Sequence, residues 1–93
     1  MNVRFYIDLE GDEPHIHRHA VSVSEVEEVL TRPIEDRAGR DGARVAIGRT
    51  MEGRYIRVIY VPGSAANDVF VITAFALGPK ALRALRRRRK KKS

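Results

Sequence analysis

The chain has 93 residues, 18 Lys plus Arg against 12 Asp plus Glu, and no cysteine, for a formal charge of +6. That length leaves room for one domain and excludes a two-domain enzyme. The lack of cysteine excludes a disulfide framework, a thiolate metal site and a catalytic thiol, and fits a reducing compartment.

Val3, Phe5 and Ile7 alternate with Arg4, Tyr6 and Asp8, the period of a half-buried strand, until Gly11 and Pro14 break it. From Val21 the spacing of Val23, Val26, Val29 and Leu30 predicts a short helix. Ser22 and Glu25 are placed for a capping box, and Pro33 ends the helix after about two or three turns. A helix this short is marginal alone, so its valines must lie on a sheet. A weak strand, Ile34 to Arg37, then leads through Asp41-Gly42 to a strand from Arg44 to Thr50. Glu52-Gly53 turns the chain into Arg54 to Val61, and a polar connection precedes Val69 to Leu77. The last run is apolar on both faces, as in a central strand. Its nine residues are about half of what a membrane span requires. The opening residues also lack the apolar core of a signal peptide, so a soluble cytoplasmic protein with no membrane partner is expected. Beyond Gly78-Pro79, Ala81, Leu82 and Leu85 can dock one helical turn, and Arg86 to Lys92 has nothing to bury. The expected architecture is α+β: a small antiparallel meander with one short helix on one face, a domain over residues 1–85, and a disordered basic tail over 86–93.

The charge is divided unevenly. Residues 80–93 hold nine cations and no acid, +9, whereas residues 1–79 hold nine arginines against all 12 acids, a net of −3. The tail is suited to RNA, an acidic protein or an anionic surface, with affinity dominated by counterion release. It also reads as a solubilising end with no dedicated partner. Every cation of the body is arginine, the residue that meets phosphate or carboxylate as a planar fork, although Arg-rich composition follows from GC-rich coding as well.

His15, His17 and His19 form a triplet that brings two imidazoles together in either a strand or a helix. With Asp12 or Glu13 they make an incomplete zinc ligand set, so no metal or cofactor is assigned. One histidine is suited to general acid–base work, His19 first. The structural alternative has His19 packed before the helix with its ring bonded to a backbone carbonyl.

The line His17-Arg18-His19-Ala20-Val21-Ser22, the Glu-rich helix, Ile47-Gly48-Arg49, Arg57-Val58-Ile59-Tyr60 and Val71-Ile72-Thr73-Ala74 resemble the BrnT toxin family. They are equally similar to a related family of small bacterial domains of unknown function within the RelE-like toxin ribonucleases. The resemblance covers roughly residues 3–77. Where BrnT-like sequences carry Ile-Ser-Ala-Arg, this chain has Ile72-Thr73-Ala74-Phe75. The resemblance implies a metal-independent mRNA endoribonuclease of a type II toxin–antitoxin pair, or an inactive relative of one, with RNA, at the ribosome or free, and an antitoxin protein as partners.

Such an enzyme activates a ribose 2′-hydroxyl and needs cations where charge grows on the phosphorane. Strand parity lets Arg44, Arg57 and Thr73 meet on the open sheet face, with Gly48 leaving the backbone accessible. Arg44, Arg57 and His19 are therefore the expected catalytic group. Arg49, Tyr55, Thr73 and the tail residues Arg86, Arg87, Arg88, Arg89 and Lys90 are the expected RNA contacts. The competing reading makes Arg44 and Arg57 outward residues paired with Glu35 or Asp36. A non-catalytic RNA-binding or protein-interaction module is the alternative function.

Overall fold

The computed structural model describes residues 2–8, 11 and 13–92. Met1 and Ser93, the ends of the expected domain and tail, and Asp12, a candidate metal ligand, lie outside the described residues. The elements are β1 (Asn2–Phe5), a 3-10 helix (His15–His19), α1 (Val23–Thr31), β2 (Glu35–Ala38), β3 (Arg44–Arg49), β4 (Tyr55–Pro62), β5 (Asp68–Ala76) and α2 (Pro79–Lys92).

The α+β class holds, but the sheet is mixed and not a pure meander. Its order is β1-β5-β4-β3-β2, and β1 lies parallel to β5 in the register Asn2↔Asp68 to Phe5↔Val71. β5 is thus a central strand, as its two apolar faces require. The reason for the parallel edge is the connection. The 3-10 helix, α1 and three strands intervene before β5, so β1 pairs with the last strand and the chain returns through a long crossover.

α1 begins on the predicted capping box: Glu25 N donates to Ser22 Oγ at 3.1 Å and Ser22 N to Glu25 Oε1 at 3.0 Å. Val26 and Val29 of α1 are fully buried on Ala46, Ile56, Val58, Val71 and Ala74 of the sheet. Gly48 belongs to this covered face, contrary to the expectation that it opens the backbone to a ligand. A Cβ at Gly48 would lie 3.2 Å from Val29 Cα, so glycine here permits close helix–sheet approach.

One bulge redirects β5. Ile59 pairs with Thr73, but Tyr60 pairs with Val71, so Ile72 is an extra residue. Val71 and Ala74 consequently both face α1, which strict alternation forbids, while Phe70, Thr73 and Phe75 face away.

The stretch beyond residue 85, expected to be disordered, is helical to Lys92. Leu85 and Arg88 tie it to the sheet. Leu85 is fully buried, and Arg88 donates from Nε and NH2 to the two oxygens of Glu35 on β2 at 2.8 and 3.0 Å. From Pro79 to Arg88 a helix rises about 13.5 Å, and the three strand spacings from β5 to β2 come to about 14 Å. α2 therefore crosses the face opposite α1.

Candidate functional site

The expected meeting of Arg44 with Arg57 does not occur, because the two side chains leave opposite faces of the sheet. Arg44 pairs across with buried Tyr60, and Arg57 with Ile47 and Phe75. Arg44 donates to Asp36 Oδ1 from Nε at 2.9 Å and to Asp36 O from NH2 at 3.1 Å, while Tyr60 OH donates to Asp36 Oδ2 at 2.6 Å. The hydrogen bond to Asp36 raises the Arg44 pKa, and burial followed by the same carboxylate raises that of Tyr60. Arg44 thus makes the pairing with Asp36 that the competing reading described.

Arg57 sits in a cross-strand row, Glu35–Ile47–Arg57–Phe75, on the α2 face. Its guanidinium carbon lies 5.8 Å from the Phe75 ring centroid, and its Nε is buried without a hydrogen-bond partner. Arg88 forks Glu35, and Arg37 Nε lies 3.8 Å from the same carboxylate. The Arg57 pKa is lowered, first by burial and then by Arg37 and Arg88, with Glu35 opposing. A cation held this way carries unspent hydrogen-bonding capacity beside an aromatic ring.

The ring at Phe75 also receives His19. Their centroids are 5.9 Å apart at 62°, His19 meets His15 at 5.4 Å and 74°, and His15 meets Tyr6 at 5.9 Å and 88°. The local chain explains this ladder. Ile16 is buried in the core and anchors the 3-10 turn. Ala20 closes the turn in a left-handed conformation at φ 56°, and His15 N bonds back to Tyr6 O at 2.8 Å. A turn tightened in this way sets His15 and His19 side by side and sends His17 elsewhere, 3.9 Å from Glu13.

Asp8 organises the ladder from behind. His15 Nδ1 lies 3.0 Å from Asp8 Oδ1, and Arg18 Nε donates to Oδ2 at 2.7 Å. An ionised carboxylate only accepts, so the Nδ1 proton points at Asp8 and the neutral ring keeps its lone pair on Nε2. The His15 hydrogen bond lowers the Asp8 pKa below the ordinary 3.8, partial burial opposes it, and Arg18 lowers it further. Sequence reasoning passed over Asp8, Tyr6 and Phe75. Asp8 precedes His15 across a Gly11 and Pro14 turn, and no local periodicity signals that the loop folds back. Among the described residues no group of three or more His, Cys, Asp or Glu side chains gathers as a metal site.

The remaining expected residues distribute around the same face. Arg49 stacks at 5.6 Å over its cross-strand partner Tyr55, and Thr73 is half-buried opposite Ile59. On α2, Arg83, Arg86, Arg87, Arg89 and Lys90 are exposed, while Arg88 turns toward Glu35 and pairs with it. A cleft of ≈ 910 Å³ lies apart from the ring ladder, between α1 and the β3–β4 turn, with Glu27, Glu28, Arg32 and Arg49 on its walls. Its opposed charges define no proton donor–acceptor pair, so the ladder is the stronger candidate.

No protein-family model, no curated protein and no solved structure matches the chain. Among the described residues no helix is long and apolar enough to cross a membrane.

Proposed function

We propose that the chain is a metal-independent endoribonuclease of the toxin-like kind its sequence resembles, with the His15–His19 pair as its acid–base centre. The observation that carries this reading is that Asp8 orients His15 beside His19, while His19 and Arg57 flank one Phe75 ring at 5.9 and 5.8 Å. His15 Nε2 accepts the proton of a ribose 2′-hydroxyl, the 2′-oxygen attacks the adjacent phosphorus, and the bond from phosphorus to the 5′-oxygen breaks. Protonated His19 supplies the proton to that leaving oxygen, and the products are a 2′,3′-cyclic phosphate and a 5′-hydroxyl. Arg57 offers positive charge to the phosphorane. Where the resembled family carries an arginine this chain has Phe75, and its cross-strand neighbour Arg57 brings a guanidinium against that ring. In this reading the cation is displaced by one strand and not lost. The exposed cations of α2 hold the RNA backbone, and engagement of about five phosphates gives a salt slope of about −3.5 on a single strand.

A second reading, a non-catalytic RNA-binding module, is favoured by one observation: Arg44 is committed to Asp36, whereas the exposed surface of α2 carries several cations and no acid. Purified protein incubated in EDTA with an end-labelled single-stranded RNA separates the two. The enzyme reading expects cyclic-phosphate ends, lost by about 10²–10⁴-fold in His15→Ala and His19→Ala. Retention without cleavage, abolished by reversing Arg83, Arg86 and Arg87 to Glu, establishes the module instead. Neither cleavage nor retention refutes both.

A further inference from the structure

The two faces of the sheet are covered unequally. Along β4, Ile56, Val58 and Tyr60 are buried under α1, while Ile59 and Val61 on the other side stay partly open. Their cross-strand neighbours Val45, Thr73 and Phe70 are also only partly buried. α2 explains one end of this face alone, since Leu85 and the Arg88–Glu35 fork place it over the Glu35–Ile47–Arg57–Phe75 row. Same-face rows repeat about every 7 Å along a strand. The Val45–Ile59–Thr73 row therefore lies about 7 Å from that row, and the Val61–Phe70 pair about 14 Å from it. A helix about 10 Å across reaches the first in part and the second not at all.

What remains is an apolar strip about one helix wide, and its borders are cationic. Arg37 ends the Val45–Ile59–Thr73 row at the free edge of the sheet, with its side chain 53% exposed. On the long side stands α2, whose exposed charges are all positive. We propose that this strip is the docking site for an acidic amphipathic helix of a partner protein. Its apolar stripe would lie on Val45, Ile59, Val61 and Phe70, and its Asp or Glu flank against Arg37 and α2. A second copy of this chain fits poorly, because a two-fold pairing would bring two cationic α2 helices together. RNA fits less well, because the floor of the strip, Val45, Ile59, Val61 and Phe70, is aliphatic and aromatic side chain, and the guanidinium donors, Arg37 and the Arg4 that pairs with Phe70, stand only at its ends. The inference stands on the coverage of the sheet and does not depend on ribonuclease activity.

The test uses the full chain, a synthetic amphipathic helix with a Leu stripe and Glu flanks, the same stripe with Lys flanks, and oligouridylate, all followed in methyl NMR spectra. The Glu-flanked peptide should shift the methyl signals of Val45, Ile59 and Val61. Arg37→Glu should weaken that peptide about fivefold and strengthen the Lys-flanked one, a charge swap that a folding defect cannot mimic. Equal binding of both peptides, shifts confined to α2, self-association through the same methyls, or movement of those methyls by oligouridylate would each overturn the proposal.

Discussion

Arg54→Ala tests the way the histidine turn is tied to the core. Glu25 is only 6% exposed, and its carboxylate serves two purposes. It completes the α1 cap on Ser22, and it receives Arg54 NH1 on both oxygens at 2.9 and 2.8 Å. The same nitrogen donates to Ala20 O at 3.1 Å, holding the left-handed residue that closes the histidine turn. Removing one member of a buried pair costs about 3–5 kcal/mol, since the other is left desolvated. Arg54 is 39% exposed along its side chain, so water reaches the vacated position and the expected loss is about 2–3 kcal/mol. In a domain of this size that lowers Tm by about 10–20 °C. Circular-dichroism melts and urea titrations measure it, and a double-mutant cycle with Glu25→Ala should return a coupling of about 1.5 kcal/mol. A loss below about 0.5 kcal/mol, or full additivity in the cycle, refutes the reasoning.

Two further outcomes are expected. Asp8 has a folded pKa below its ordinary 3.8, so its contribution to stability is present above about pH 4 and is lost as pH falls through the folded value. Asp8→Asn should therefore flatten the stability profile between about pH 2 and pH 4 while leaving its shape at neutral pH, read from urea midpoints; parallel profiles count against the His15 contact. Arg88→Ala breaks the fork that ends on Glu35, but Arg37 stays 3.8 Å from that carboxylate. The global cost should be modest, about 0.5–1 kcal/mol, and concentrated in α2. Amide exchange over residues 86–92 should rise far more than in the sheet, and unchanged protection there would count against the fork as what holds the helix.

The candidate site was legible in its residue types more than in its partnerships. His19 and Arg57 were both expected, and they do approach one ring. Phe75, the ring between them, registered only as the residue standing in place of an arginine. Arg44 and Gly48, expected on one face of β3, do share a face. The face assigned to that group was reversed, because parity relates residues inside one strand and says nothing of how the next strand is registered. On β5 parity itself fails at the Ile72 bulge, where one extra residue turns both Val71 and Ala74 inward.

By itself the sequence determined the approximate places of α1 and the five strands, the Ser22–Glu25 cap and the separation of a −3 body from a +9 C-terminal segment. Each of these rests on neighbours within a few residues, where periodicity, capping and charge counting act directly. Tertiary structure alone decided that β1 lies parallel to β5, that Arg44 and Arg57 part to opposite faces, and that Asp8 returns to His15. It also decided that the C-terminal segment folds as α2, since the deciding partner of Arg88 is Glu35, 53 residues away in the chain. These outcomes depend on which surfaces meet after the chain has closed long loops, and that choice is set by burial and pairing across the whole sheet.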